Sequence, residues 1–154
     1  MSTPRSRAIF GCLGAELTAE ERDFFREIRP WGFILFGRNI EKPEQIKRLV
    51  QALRETMNWP SAPVLIDTGC GRVARMKPPQ WKERPPALIF ADLHATAPEE
   101  AREAAYLNAR LIARDLTDLG INVDCLPVLD VPVEGAHDII GDRAYGRDPA
   151  VIID

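Results

Sequence analysis

The feature that most constrains this chain is an alternation of short apolar runs with helical patterns, repeated four times. Ala8–Leu13 is apolar and ends beside Gly14, which predicts a buried strand. Thr18 followed three residues later by Glu21 fits a capping box, so a helix is expected from there to about Ile28, stopped by Pro30. Trp31–Phe36 predicts a second strand, apolar almost throughout, as strands covered on both faces are. Pro43 then falls in a first turn, and Ile46, Leu49, Val50, Leu53 and Met57 recur at helical spacing up to Asn58-Trp59-Pro60. Pro63–Asp67 predicts a third strand with a carboxylate at its C-terminal end. Residues 68–95 read as a long irregular segment containing Pro78-Pro79 and Pro85-Pro86, and loops of that length are usually functional. A long helix capped by Thr96 follows, with Gly120 closing it. Ile121–Leu126 and Val128–Asp130 form a fourth strand region interrupted by Pro127, a second loop runs over 131–147, and a further helix opens at Asp148. Strands alternating with helices imply an α/β fold with a parallel sheet.

Composition narrows the function classes. The 154 residues are 45% hydrophobic and 28% charged, an ordinary globular mixture that excludes disorder and suffices for one domain rather than two. A net charge of −3 argues against nucleic acid as a partner. No apolar run approaches the roughly 18 residues of a membrane span, and the start of the chain lacks the apolar region of a signal peptide. Cys12, Cys70 and Cys125 are odd in number and lack metal-type spacing, so reduced thiols in a cytoplasm are expected, without a disulfide scaffold or zinc site.

Candidate chemistry gathers at or just after the strand C-termini, where α/β sheets and barrels bind ligands. The candidates are Asp67 with Arg72 and Arg75, the pair Asp124 and Asp130, and the loop residues His137, Asp138, Asp142 and Arg143. Asp67 reads equally well as a loop-capping or Arg-paired carboxylate, Arg75 as a solvated arginine, and His137 as a surface residue. Gly69-Cys70-Gly71 lacks either phosphate-binding glycine pattern, and nothing near Cys70 supplies a histidine base. Arg72, Arg75, Lys77, Lys82 and Arg84 cluster around Trp81, either as a contact for an anionic or sugar ligand or as a solvated loop. A flavodoxin-like module would need a fifth strand and a phosphate loop, and neither is visible.

Three stretches, Trp31–Asn39, Val64–Asp67 through Gly71–Arg75, and Leu126–Asp130 with Ile140–Tyr145, resemble the bacterial family 3 β-N-acetylglucosaminidases. The likeness runs from about Ala8 to Asp154. It implies a TIM-type barrel of which residues 1–154 are the N-terminal part, about four βα units of a fold that takes roughly 250 residues and eight strands. It also implies retaining hydrolysis of terminal β-linked N-acetylglucosamine from peptidoglycan fragments during cytoplasmic wall recycling, without cofactor or metal. By resemblance Asp67 binds hydroxyls of the sugar, and Arg75 and Arg143 make further sugar contacts. The chemistry suits the task, because a carboxylate accepts two hydroxyl donors and a guanidinium fork donates to ring substituents.

The sequence departs from the family where Asp-Gln-Glu-Gly-Gly-Arg-Val is usual and Asp67-Thr68-Gly69-Cys70-Gly71-Arg72-Val73 stands instead. The family's Lys-His segment, acid/base loop and nucleophilic Asp correspond to nothing here, so no catalytic residue is assigned. Retaining hydrolysis needs a nucleophile and an acid/base. The expectation is therefore a chain inactive alone, or else a non-catalytic sugar- or muropeptide-binding half-barrel. Unpaired strand edges also predict self-association.

Overall fold

The structure, a computed structural model, describes residues 4–154 except 70 and 136. Strands β1 (Ser6–Phe10), β2 (Pro30–Leu35), β3 (Val64–Ile66) and β4 (Val123–Asp124) form one parallel sheet in sequence order. The helices are α1 (Ala19–Ile28), α2 (Pro43–Thr56), α3 (Leu88–His94), α4 (Pro98–Asp118) and α5 (Pro149–Ile153). The chain divides into two compact units, one comprising residues up to Asp67 with Asp115–Asp124, the other Thr68–Arg114 with Cys125–Asp154.

The first unit holds the sheet. Helix α1 starts as its sequence dictates: the Thr18 hydroxyl accepts from Glu21 N at 3.1 Å, and Glu21 Oε2 accepts from Thr18 N at 3.0 Å. The other Glu21 oxygen accepts from Leu13 N at 2.7 Å, so one buried carboxylate ties the cap to the segment after β1. Arg29 leaves the helix with φ 52 and Pro30 opens β2. Pro43 occupies the first position of α2, which buries Ile46, Leu49, Val50 and Leu53. Gly120 follows α4 at φ +82; its N–H donates to Thr117 O while Ile121 N–H donates to Leu116 O, the paired bonds of a Schellman motif.

One sheet face is sealed. Phe33, Leu35, Val64 and Ile66 are buried alongside Phe25 of α1 and Ile46, Leu49 and Leu53 of α2, and the Phe25 and Phe33 rings meet edge to face at 5.0 Å. The opposite face is not, contrary to the expectation from an unbroken apolar run. Ile9 is 43% exposed, and Ile34, Leu65 and Val123, which align with one another across the strands, are half-buried. An apolar run shows only that neither face of a strand is charged; coverage is decided by which elements pack there.

The fourth strand is shorter than expected. Asn122 completes the pairing with β3 by accepting from Val64 N through Oδ1 at 2.8 Å and donating its own N–H to Val64 O. Regular pairing then ends at Asp124, three residues before Pro127, whose nitrogen has no hydrogen to donate to a ladder.

In the second unit, the segment read as wholly irregular contains α3. Its first bond runs from Ile89 N to Pro86 O, so Pro85-Pro86 precedes a helix rather than excluding one, and Phe90 anchors it by stacking on Tyr145 at 6.2 Å. Thr96 does not cap α4. Its hydroxyl donates to Leu93 O, finishing α3, while Ala97 O accepts the first α4 bond from Ala101 N and Pro98 takes the first helical position. Helix α5 is capped by Asp148, which accepts from Ala150 N at 2.9 Å. At its end Asp154 receives His94 Nε2 at 2.8 Å and Arg102 Nη1 at 2.7 and 2.5 Å, and these donors hold its carboxyl below the usual carboxylate range.

Candidate functional site

The sugar-contact candidates fall in both units, at loops that leave the sheet and in segments that fold without regular structure. In the first unit the segments after β1 and β2 are locked together. Asn39, fully buried in a 3-10 turn (Gly37–Asn39), donates through Nδ2 to Gly14 O at 2.7 Å and to Cys12 O at 3.1 Å. Its Oδ1 accepts from Phe36 N at 2.9 Å, and Arg38 Nε adds a bond to Cys12 O at 2.9 Å. Burial, with the Glu21 charge second, raises the Cys12 thiol to about 11, which keeps it an inert packing group at neutral pH. Asp67 follows β3 immediately and is half-buried, the position expected of it.

In the second unit the segment after Asp67 folds back on itself. Arg75 N donates to the Thr68 hydroxyl at 3.0 Å, Gly69 N to Val73 O at 3.0 Å, and Gly71 N to Arg84 O at 3.1 Å. Gly71 has φ +67, and a Cβ there would lie 3.0 Å from the Pro86 ring, so both conformation and space require glycine. These bonds set the backbone around Arg75, whose residue is half-buried.

Arg143 lies in a second 3-10 turn, Gly141–Arg143, with its N–H on Ile140 O at 3.1 Å. Arg72 joins the two segments. Its Nη2 donates to Asp138 O at 2.9 Å and Ile139 O at 3.1 Å, and its Nε lies 3.4 Å from Asp142 Oδ1. The structure therefore links the stretch carrying Arg75 to the stretch carrying Arg143 through an arginine to which the sequence reading gave no distinct role. Its signal was present in the Gly71-Arg72 and Gly141-Asp142-Arg143 pairings, but a contact across 66 residues cannot be read from one sequence.

The basic cluster is rearranged. A cavity of about 550 Å³ is lined by Arg72, Lys77, Glu83 and Arg84 with Pro78 and Pro86; Arg75, Lys82 and Trp81 do not line it. Trp81 instead closes a turn, its N–H on Lys77 O. His137 and Asp130 are exposed, Asp124 is half-buried in β4, and Cys70 lies outside the described residues. Among the described residues no group of three or more His, Cys, Asp and Glu could hold a metal ion, and no helix is long and apolar enough to cross a membrane.

A parallel sheet in sequence order, its strands alternating with helices, is the architecture of part of an α/β barrel. Residues 12–154 match the glycosyl hydrolase family 3 N-terminal domain, and the chain belongs to that family. It is 33% identical over 144 residues to a beta-hexosaminidase of Stenotrophomonas maltophilia, covering 94% of this chain and 42% of that protein. A Methylococcus capsulatus beta-hexosaminidase is 34% identical over 141 residues, covering 92% and 40%. In structure it is similar to NagZ from Neisseria gonorrhoeae, solved in complex with N-trifluoroacetyl-D-glucosamine, with a TM-score of 0.88, 26% identity, and 97% of this chain and 43% of that one covered. The chain thus spans about two fifths of the length of these relatives, and its α/β fold corresponds to part of their barrel.

Proposed function

We propose that this chain forms the sugar-binding part of a β-N-acetylglucosaminidase, with Asp67, Arg75 and Arg143 contacting a terminal β-linked N-acetylglucosamine. The observation that carries the reading is the match to beta-hexosaminidases across 94% of the chain, which includes all three residues. Local geometry supports it: Asp67 stands directly after β3, and Arg72 ties together the segments bearing Arg75 and Arg143. The natural ligands in this reading are peptidoglycan fragments, met in the cytoplasm during wall recycling.

The chain is expected to bind sugar without turning it over. Titration with N-acetylglucosamine should give saturable binding that weakens about tenfold or more in Asp67→Ala and Arg143→Ala, since each loses charge-assisted hydrogen bonds. Nitrophenol release from a β-N-acetylglucosaminide should be the same for the natural chain and Arg143→Ala. Binding indifferent to both substitutions would remove the site from these residues, and turnover lost in Arg143→Ala would show that the chain holds catalytic groups of its own.

Self-association belongs to the same proposal. Leu129, Val131, Val133, Ile139 and Ile153 of the second unit are exposed, Ile153 to 85%. Light scattering across micromolar concentrations should show mass rising with concentration. A constant monomer mass would end that part of the reading.

A further inference from the structure

We propose that Arg72 is a positioning residue for the sugar site: its guanidinium, donating to the Asp138 and Ile139 carbonyls and facing the Asp142 carboxylate, fixes the turn carrying Arg143 against the segment carrying Arg75. The inference rests on the preceding assignment of Arg75 and Arg143 to the sugar, and adds a residue that need not touch it.

The ion pair alone would be a weak latch. The two side chains are 47% and 41% exposed, and exposed pairs contribute little. The strength comes from the fork. One guanidinium nitrogen serves two successive carbonyls while another faces a carboxylate, a division of labour that a planar group with several donors can perform and an ammonium cannot. Asp142 Oδ1 is itself buried and accepts no hydrogen bond from the described residues, and Arg72 faces it as a counter-charge at 3.4 Å. Removing Arg72 would leave two carbonyls without this donor and a carboxylate without this counter-charge.

The turn is shaped to receive the guanidinium. Gly141 has φ +50, and a Cβ built there would run into Arg72 Nη2 and lie 3.2 Å from Arg72 Cζ and from Asp138 Oδ1. Gly71, the neighbour of Arg72, would bring its own Cβ within 3.7 Å of Asp142 Oδ2. Glycine at both ends of the bridge lets the guanidinium lie directly on the turn backbone. Arg143 and Ala144 make the turn's own bonds, to Ile140 O and Gly141 O, and both directly follow the stretch 138–142 that Arg72 grips.

Two readouts on the full chain test this. Hydrogen exchange over residues 138–145 should accelerate by roughly tenfold in Arg72→Ala and also in Arg72→Lys, with exchange in β2 and β3 unchanged and Lys82→Ala behaving as the natural chain. N-acetylglucosamine binding should weaken about tenfold in both Arg72 variants, and the double variant Arg72→Ala/Arg143→Ala should lose no more than Arg143→Ala alone, because the first acts through the second. Unchanged exchange would overturn the latch. Rescue by lysine would overturn the fork argument, and additive binding losses would mean that Arg72 contacts the sugar itself. If the natural chain binds no sugar, the assignment of Arg75 and Arg143 fails and takes the positioning role with it; the exchange result then separates that failure from the absence of a latch.

Discussion

Asn39→Ala is expected to destabilise the first unit by about 2–3 kcal/mol, because one fully buried side chain satisfies three backbone groups. Cys12 O would keep Arg38 Nε at 2.9 Å, so its loss is partial. Phe36 N would lose its 2.9 Å acceptor and Gly14 O its 2.7 Å donor, both in half-buried residues packed around the fully buried amide. Every such orphan costs about 1–3 kcal/mol, and the space left by the amide adds to it. Asn39→Asp separates hydrogen bonding from volume. Aspartate fills the same space and still accepts from Phe36 N, yet it turns a charged oxygen toward the Gly14 and Cys12 carbonyls. It should therefore be at least as damaging as alanine. Denaturant titration checks both, with a fall in midpoint at constant slope. A loss below about 1 kcal/mol in both variants would show that these segments relax to find other partners.

How much of this was legible in the sequence depends on the range of the interaction. Local rules worked: the Thr18–Glu21 capping box, Pro43 at a helix start and Gly120 at a helix end are decided by neighbours within a turn. Helix α3 was missed because Pro85-Pro86 reads as a breaker, although proline fits ahead of a helix and Phe90 gains its anchor from Tyr145, distant in sequence. Thr96 was given to the wrong helix, since a hydroxyl between two helices can serve either and only the backbone path decides. The open sheet face was illegible for a different reason: Ile34 and Leu65 are as apolar as buried residues, and exposure is set by what packs opposite.

The site divides along the same line. The place of Asp67 was legible because a carboxylate ending an apolar run marks a strand's C-terminal edge. Arg75 and Arg143 were candidates by their place in the segments after strands, and the sugar roles of all three residues came from motif resemblance. Asn39 was quoted only as a motif letter and Arg72 only as a candidate ligand contact, because the bonds they make run to backbone carbonyls, which every residue possesses and no sequence distinguishes.

Gly32→Val opposes local preference to tertiary space, and space should win by about 2–3 kcal/mol. Valine favours extended backbone, and on propensity alone the substitution in the middle of β2 would help by up to about 1 kcal/mol. The structure leaves no room for it. A Cβ on Gly32 would sit 2.9 Å from Pro63 O, 3.1 Å from Pro63 Cβ and 3.6 Å from Leu65 Cδ1. The nearest obstacle is backbone, which cannot rotate away as a side chain can. The same Pro63 oxygen accepts from Phe33 N at 2.9 Å, at the point where β2 and β3 begin to pair. Pushing it aside therefore strains the first bond of that ladder as well as the packing. Gly32→Ala places the same Cβ without the two methyls, so it should destabilise in the same direction by a smaller amount; a stabilising alanine would refute the steric account. Strand β3 runs from this point to Ile66, with Asp67 next in the chain. A shift of β3 should consequently weaken N-acetylglucosamine binding in Gly32→Val even where the fold survives, which couples the spacing of two strands to the carboxylate proposed to hold the sugar.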